Sequence, residues 1–129
     1  MTISHTLSKE ERLCGKQVIS DLFEHGRSFF LSPYKVVWLK IPEPGSFLGR
    51  FAVSVPKRRF KHAVKRNLIK RRTREVFRLN KHILYTAITD GQVHLMVVYV
   101  SDKILPSTDL DESMKKILQR IALQYAESN

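Results

Sequence analysis

Cysteine is almost absent from this sequence. Cys14 stands alone among 129 residues, so no internal disulfide can form, which fits a protein of a reducing compartment. Long apolar runs are missing as well. The longest, Leu95 to Val100, falls far short of the roughly 20 residues that cross a bilayer. Met1 to Arg12 lacks the apolar core of a signal peptide. Together these absences imply a soluble, cytoplasmic protein. Chemistry-bearing patterns are equally scarce. His5, His25, His62, His82, His94 and Cys14 have no metal-ligand spacing, and there is neither a nucleophile elbow nor a phosphate-binding loop. The twelve acids sit mostly at turns and helix ends rather than converging to hold metal ions. The expectation is a protein without catalytic or metal-binding residues of its own.

Negative charge is scarcest in one place. Residues 57–81 hold twelve Lys or Arg against the single acid Glu75, while the other 104 residues balance to zero. The whole net charge of +11 therefore lies in one segment. A solubility device would be spread over the surface. A concentrated patch is the electrostatic footprint of a polyanion partner.

What remains is ordinary globular composition, 43% hydrophobic and 27% charged, in a length that suits one domain over 1–129 with flexible ends at 1–7 and 126–129. Ser8-x-x-Glu11 reads as a capping box opening a short helix. A helix follows over Lys16 to His25, with Val18, Ile19, Leu22 and Phe23 as its apolar stripe and Gly26 as its stop. Tyr34 to Ile41 alternates as a strand. Its greasier face, Lys35, Val37, Leu39 and Ile41, is expected to meet the core, leaving Tyr34, Val36 and Trp38 on the other side. Pro42 to Gly45 has turn chemistry, and Gly49 to Val55 alternates again, so the two runs read as an antiparallel hairpin. Asp90-Gly91 marks a turn before Val93 to Val100, a run apolar enough for a central strand covered on both faces. Pro106 and Thr108 open a last helix with Asp109, Asp111 and Glu112 in its first turn and Leu110, Met114, Ile117, Ile121 and Tyr125 as its core stripe. The fold class is α+β, a small mixed sheet with helices in the order α-β-β-α-β-α.

Between the second and third strands lies the basic helix, from about Ala63 to Lys81. At 100° per residue with Val64 at zero, Leu68, Ile69, Val76, Leu79 and Ile83 fall on one side, about 40° to 140°. Arg66, Asn67, Lys70, Arg71, Arg74, Arg78 and Lys81 fall between about 200° and 340°. Arg66, Lys70 and Arg74 are like charges at i, i+4, which repel by a few tenths of a kcal/mol per pair. Glu75 could pair with Arg71 or Arg72. A solvated face normally mixes signs, and this one does not. Arg at 66, 71, 74 and 78 offers a planar fork that matches phosphate and stacks on bases. No helix-turn-helix spacing or zipper heptad accompanies it, and the other side of the helix is claimed by the core rather than by a membrane. RNA is the polyanion that remains, with a DNA-binding regulator as the rival.

The run from Ser54 to Glu75 resembles the signature of the protein subunit of bacterial ribonuclease P. The core of that signature, Arg-Asn-x-x-Lys-Arg-x-x-Arg-Glu, is matched without departure at Arg66, Asn67, Lys70, Arg71, Arg74 and Glu75. The likeness is strong from Phe51 to Leu79 and thin over the last thirty residues. The resemblance implies a ribosomal protein S5 domain 2-like fold with a left-handed β-α-β crossover. It implies a monomeric protein that partners the catalytic ribonuclease P RNA. Together they remove the 5′ leader of precursor tRNA, leaving a 5′-phosphate, with chemistry performed by the RNA and Mg2+ bound mainly by RNA and substrate. Carried over by position, the implied RNA contacts are Arg66, Asn67, Lys70, Arg71 and Arg74, with Glu75 holding basic side chains in place. Lys57, Arg58, Arg59, Lys61, Lys65 and Arg78 of the same basic segment are expected to join them in binding RNA. The leader cleft of this family lies between the first helix and an exposed sheet face, here assigned to Ile19, Phe23, Tyr34, Val36 and Trp38. Ile19 departs from the aromatic of the family pattern. A ribosomal or rRNA-binding protein of similar fold is the alternative.

Overall fold

Apolar periodicity and turn residues divide the chain into eight elements in the computed structural model, which describes residues 11–127. They are α1 (Lys16–His25), β1 (Arg27–Leu31), β2 (Tyr34–Ile41), β3 (Gly49–Ser54), α2 (Ala63–Asn80), α3 (His82–Tyr85), β4 (Gln92–Tyr99) and α4 (Ser107–Glu127). The strands form one mixed sheet in the order β1-β2-β4-β3. β1 and β2 pair antiparallel, β2 and β4 pair antiparallel, and β3 and β4 pair parallel. The expected hairpin between Tyr34–Ile41 and Gly49–Val55 is therefore corrected. β4, the most apolar strand, inserts between them and is buried along almost its whole length. Two neighbours rather than one are needed to satisfy both edges of a strand so deeply buried. The hairpin partner of β2 is β1, unanticipated because Arg27–Leu31 is short and half exposed. The 42–48 connection instead crosses the end of β4, where the Val93 amide donates to the Leu48 carbonyl at 3.0 Å.

Two glycines are closed in by backbone oxygens. Gly26 ends α1 at an ordinary extended φ of −75°. A Cβ there would stand 2.3 Å from the Leu22 carbonyl oxygen and 2.9 Å from that of Trp38, so bareness, not left-handedness, selects it. Gly91 has φ +68°, and its Cβ would meet the Ile41 oxygen at 2.1 Å, as a tight turn into β4 demands.

One face of the sheet carries the main core. Tyr34, Val36 and Trp38 of β2 join Leu95, Val97 and Tyr99 of β4 beneath α2 and α4. The expected facing of β2 is thereby reversed. Aliphatic count favoured Val37 and Leu39, but aromatic rings bury more area and need only their polar tips satisfied. Those tips are satisfied. The Trp38 indole N–H donates to Gln124 Oε1 at 2.9 Å. The Tyr34 hydroxyl meets Thr73 Oγ1 at 2.7 Å, and the Tyr99 hydroxyl donates to the Lys103 carbonyl at 2.6 Å. The opposite face holds a smaller cluster, Leu13, Leu22, Val37 and Met96, under α1. In α1 only Leu22 is fully buried, and Phe23 is half exposed, so the four-residue stripe is narrower than its spacing suggests.

The inward stripe of α4 is as expected, with Leu118 added, and Ala126 and Glu127, expected to be flexible, are its last residues. The α2 stripe is not as expected. Its buried residues are Ile69, Thr73, Val76, Phe77 and Asn80, a face rotated toward the Thr73 side, and Phe77 stacks on Phe51 of β3 with ring centroids 4.0 Å apart. Leu79, expected on the apolar side, is exposed, as is Val64. Ser8, the capping half of the proposed capping box, lies outside the described residues. Glu11 is buried elsewhere, receiving Lys81 Nζ on both oxygens at 2.9 Å and the Tyr85 hydroxyl at 2.7 Å.

Candidate nucleic-acid interface

The parallel β3–β4 pair requires a crossover, and α2 is that crossover, so one rigid helix is laid across the end of the main core. Its inner face is fixed by Phe77, Val76 and Ile69. Every basic side chain on its outer face is positioned from there. The loop between β3 and α2 brings five more charged or titratable residues, Lys57, Arg58, Arg59, Lys61 and His62, to the helix start.

These cations are not equivalent. Lys57, Arg58, Lys61, Lys65, Asn67 and Arg71 are exposed, and Arg59, Arg66, Lys70, Arg74 and Arg78 are partly covered. Arg66 curls back on the loop, its Nη1 donating to the carbonyls of Phe60 at 2.7 Å and Lys61 at 2.8 Å, which fixes the path of the loop that carries Lys57, Arg58 and Lys61. Arg59 Nη1 meets Asp102 Oδ1 at 2.8 Å. Arg72 Nη1 donates to the Leu105 carbonyl at 3.0 Å and ties α2 to the start of α4. Glu75 pairs with Arg78, one turn on, and not with Arg71 or Arg72. The Arg78 hydrogen bond holds the Glu75 carboxyl below its ordinary range, and Glu75 raises Arg78 in return. Lys81, expected on the basic face, is buried against Glu11 and is removed from it.

One cation was missed. Arg12 is exposed between buried Glu11 and Leu13, and its segment makes a parallel bridge to Phe51 of β3. Burial and then the positive charge of Arg12 hold the Arg74 guanidinium below its ordinary value. Glu11-Arg12-Leu13 could have been read as an extended in-out-in triplet; the capping-box reading concealed it.

The expected leader cleft is partly overturned. Tyr34, Val36 and Trp38 are sealed in the main core and cannot stack on a base without unfolding. A one-residue change of register moves every side chain of a strand to the other face. The accessible positions are the next residues over. Cα pairing aligns Phe30, Lys35, Val98 and Ser54 in one row across the sheet, beside the row Val37 and Met96 that α1 covers. Phe30 is 62% exposed and Phe23 of α1 50%, while Ile19 is half-buried against the small cluster. At the far end of this face burial, and then the positive charge of Arg50, lower the His94 pKa below its ordinary value. Among the described residues no group of three His, Cys, Asp or Glu is placed to hold a metal ion, and no helix is long and apolar enough to cross a membrane.

The family model for Ribonuclease P matches residues 7–122. The chain belongs to the ribonuclease P protein family. It is 38% identical over 118 residues to the ribonuclease P protein component of Porphyromonas gingivalis, covering 90% of this chain and 86% of that one. It is 37% identical over 76 residues to the component of Syntrophus aciditrophicus, covering 59% and 60%. The fold is similar to the ribonuclease P protein of Staphylococcus aureus, with TM-score 0.70 at 22% identity over 86% of this chain and 94% of that one. It is also similar to that of Thermotoga maritima, with TM-score 0.69 at 23% identity over 85% and 96%. The six signature positions, Arg66, Asn67, Lys70, Arg71, Arg74 and Glu75, lie on the outward side of the crossover helix, and the ribosomal alternative is not favoured.

Proposed function

We propose that this protein assists removal of the 5′ leader from precursor tRNA by holding two RNA elements at once. The exposed side of α2 and its preceding loop grip the catalytic RNA, and the open sheet face takes the leader. The observation that carries the reading is the family signature displayed on a rigid helix whose charge is not balanced locally. In this reading the RNA subunit performs the cleavage that leaves a 5′-phosphate, and Mg2+ is held mainly by RNA and substrate. The protein acts as a cytoplasmic monomer supplying fixed positive charge. Lys57, Arg58, Lys61, Lys65, Lys70, Arg71 and Arg74 meet phosphate, Asn67 adds hydrogen bonds, and Arg66 shapes the loop. The leader lies over Phe30, Lys35 and Val98 beside Phe23, where each base–aromatic stack is worth about 1–3 kcal/mol.

The test is reconstitution of the full chain with a bacterial ribonuclease P RNA and labelled precursor tRNA, at magnesium too low for the RNA alone. Cleavage at the mature 5′ end only when both are present is the expected result. Tight RNA binding without cleavage would overturn the processing role. If about six phosphates are neutralised, log K falls with log salt at a slope of about −4 to −5.

A further inference from the structure

We infer that Arg12 and Arg74 form a two-pronged site for one RNA backbone phosphate at the sheet-edge side of α2. The inference rests on the RNA-binding reading above and extends it to a residue outside the family signature. The segment that carries Arg12 is fixed at three points. The Leu13 amide donates to the Phe51 carbonyl at 2.9 Å, Leu13 packs into the small cluster under α1, and the Glu11 carboxylate is buried on Lys81. With both neighbours held inward, the Arg12 side chain is directed out of the protein. Phe51, the partner of Arg12 in the bridge, stacks on Phe77, which lies three residues after Arg74 on α2. The same packing therefore sets the spacing of the two arginines.

Two guanidinium groups held close repel each other unless an anion lies between them. Here none does among the described residues. Glu11 is committed to Lys81 and Tyr85, and Glu75 to Arg78. Neither Arg12 nor Arg74 has an ion-pair partner among the described residues. A phosphate has one charge and several acceptor oxygens, so it can accept from both forks and remove the repulsion at the same time. Like charge held by a scaffold in this way is pre-arranged for an anion rather than for stability.

The experiment measures binding of full-length wild type, Arg12→Ala, Arg12→Lys, Arg74→Ala and the double alanine variant to a bacterial ribonuclease P RNA across a salt series. Arg12→Ala is expected to weaken binding about tenfold, near the 1.4 kcal/mol that tenfold represents, and to reduce the salt slope by about 0.7–0.9. Arg12→Lys retains the slope. The double variant loses less than the product of the single effects, because both prongs hold one phosphate. Repeating the series with precursor tRNA in the preformed complex distinguishes a phosphate of the catalytic RNA from one of the leader. If wild type binds with the steep slope and Arg12→Ala matches it on both RNAs, the two-pronged site is wrong while the RNA-binding reading stands. If wild type itself fails to bind, that reading falls. Unfolding midpoints of Arg12→Ala and Arg12→Lys are expected to match wild type. A shift in Arg12→Ala that Arg12→Lys shares, with the salt slope unchanged, would assign Arg12 to structure and overturn the site.

Discussion

The two ends of the basic segment use the same residue types for opposite purposes. At the loop end, Lys57, Arg58, Lys61 and Lys65 project into solvent. At the far end, Lys81 is buried on Glu11, Arg78 is paired with Glu75, and Arg72 binds the Leu105 carbonyl. Charge count along a sequence treats these as one patch. Partner by partner they separate into cations that hold the fold and cations left over for an anion. The difference follows from geometry. The helix turns its C-terminal end into the sheet edge and α3, where a bare ammonium would be costly unless met by a carboxylate.

The largest effects should come from breaking the fold-holding end. Lys81→Met leaves the Glu11 carboxylate buried without its cation and is expected to cost about 3–5 kcal/mol in urea unfolding. A loss below about 1 kcal/mol would put Lys81 with the solvent-facing cations after all. The two sheet faces allow a matched contrast. Trp38→Ala removes a fully buried ring and should cost about 3–5 kcal/mol of stability. Phe23→Ala should leave stability nearly unchanged and weaken leader-dependent binding by about 1–3 kcal/mol. An Ala at 38 that melts like wild type but loses leader binding would restore the original assignment of that face.

At the loop end, Lys70→Ala should reduce the salt slope of RNA binding by about 1 with little change in unfolding. Arg66→Ala should reduce it by more, because the loop that presents Lys57, Arg58 and Lys61 loses its anchor. Equal slopes for the two variants would reduce Arg66 to a simple phosphate contact. The smallest effect concerns Asp111, whose carboxyl is held below its ordinary 3.8 by the Asn80 hydrogen bond and then by Lys115. A depressed carboxylate contributes stability that is present above its unfolded value and lost as pH falls through the folded one. The partly exposed site limits this to under about 1 kcal/mol. Acid titration of Asp111→Asn should therefore show slightly less loss below pH 3.8 than wild type.

The sequence made the chemistry of the interface legible more readily than its supports. Arg66 to Glu75 could be placed on an exposed helix because the run has both a signature and a charge excess that no core tolerates. The stripe of α4 was readable because Leu110, Met114, Ile117, Ile121 and Tyr125 repeat with helical period and without ambiguity. β2 was harder. It is buried on both sides over Val36 to Trp38, so alternation there says nothing about which side meets the larger core, and only the long-range partners Gln124 and Thr73 decide it. Strand order was likewise invisible, since it depends on β4 inserting between β2 and β3. The buried Glu11–Lys81 pair spans seventy residues, a separation that no local pattern encodes.

The placement of α2 as the link between two parallel strands has a thermodynamic consequence. Taken alone, a helix with so many adjacent like charges would melt, since repulsion outweighs its modest intrinsic propensity. Because β3 and β4 cannot pair without it, its order is inherited from the whole domain. The helix backbone is therefore already ordered when an RNA arrives, and forming the complex does not carry the cost of folding it.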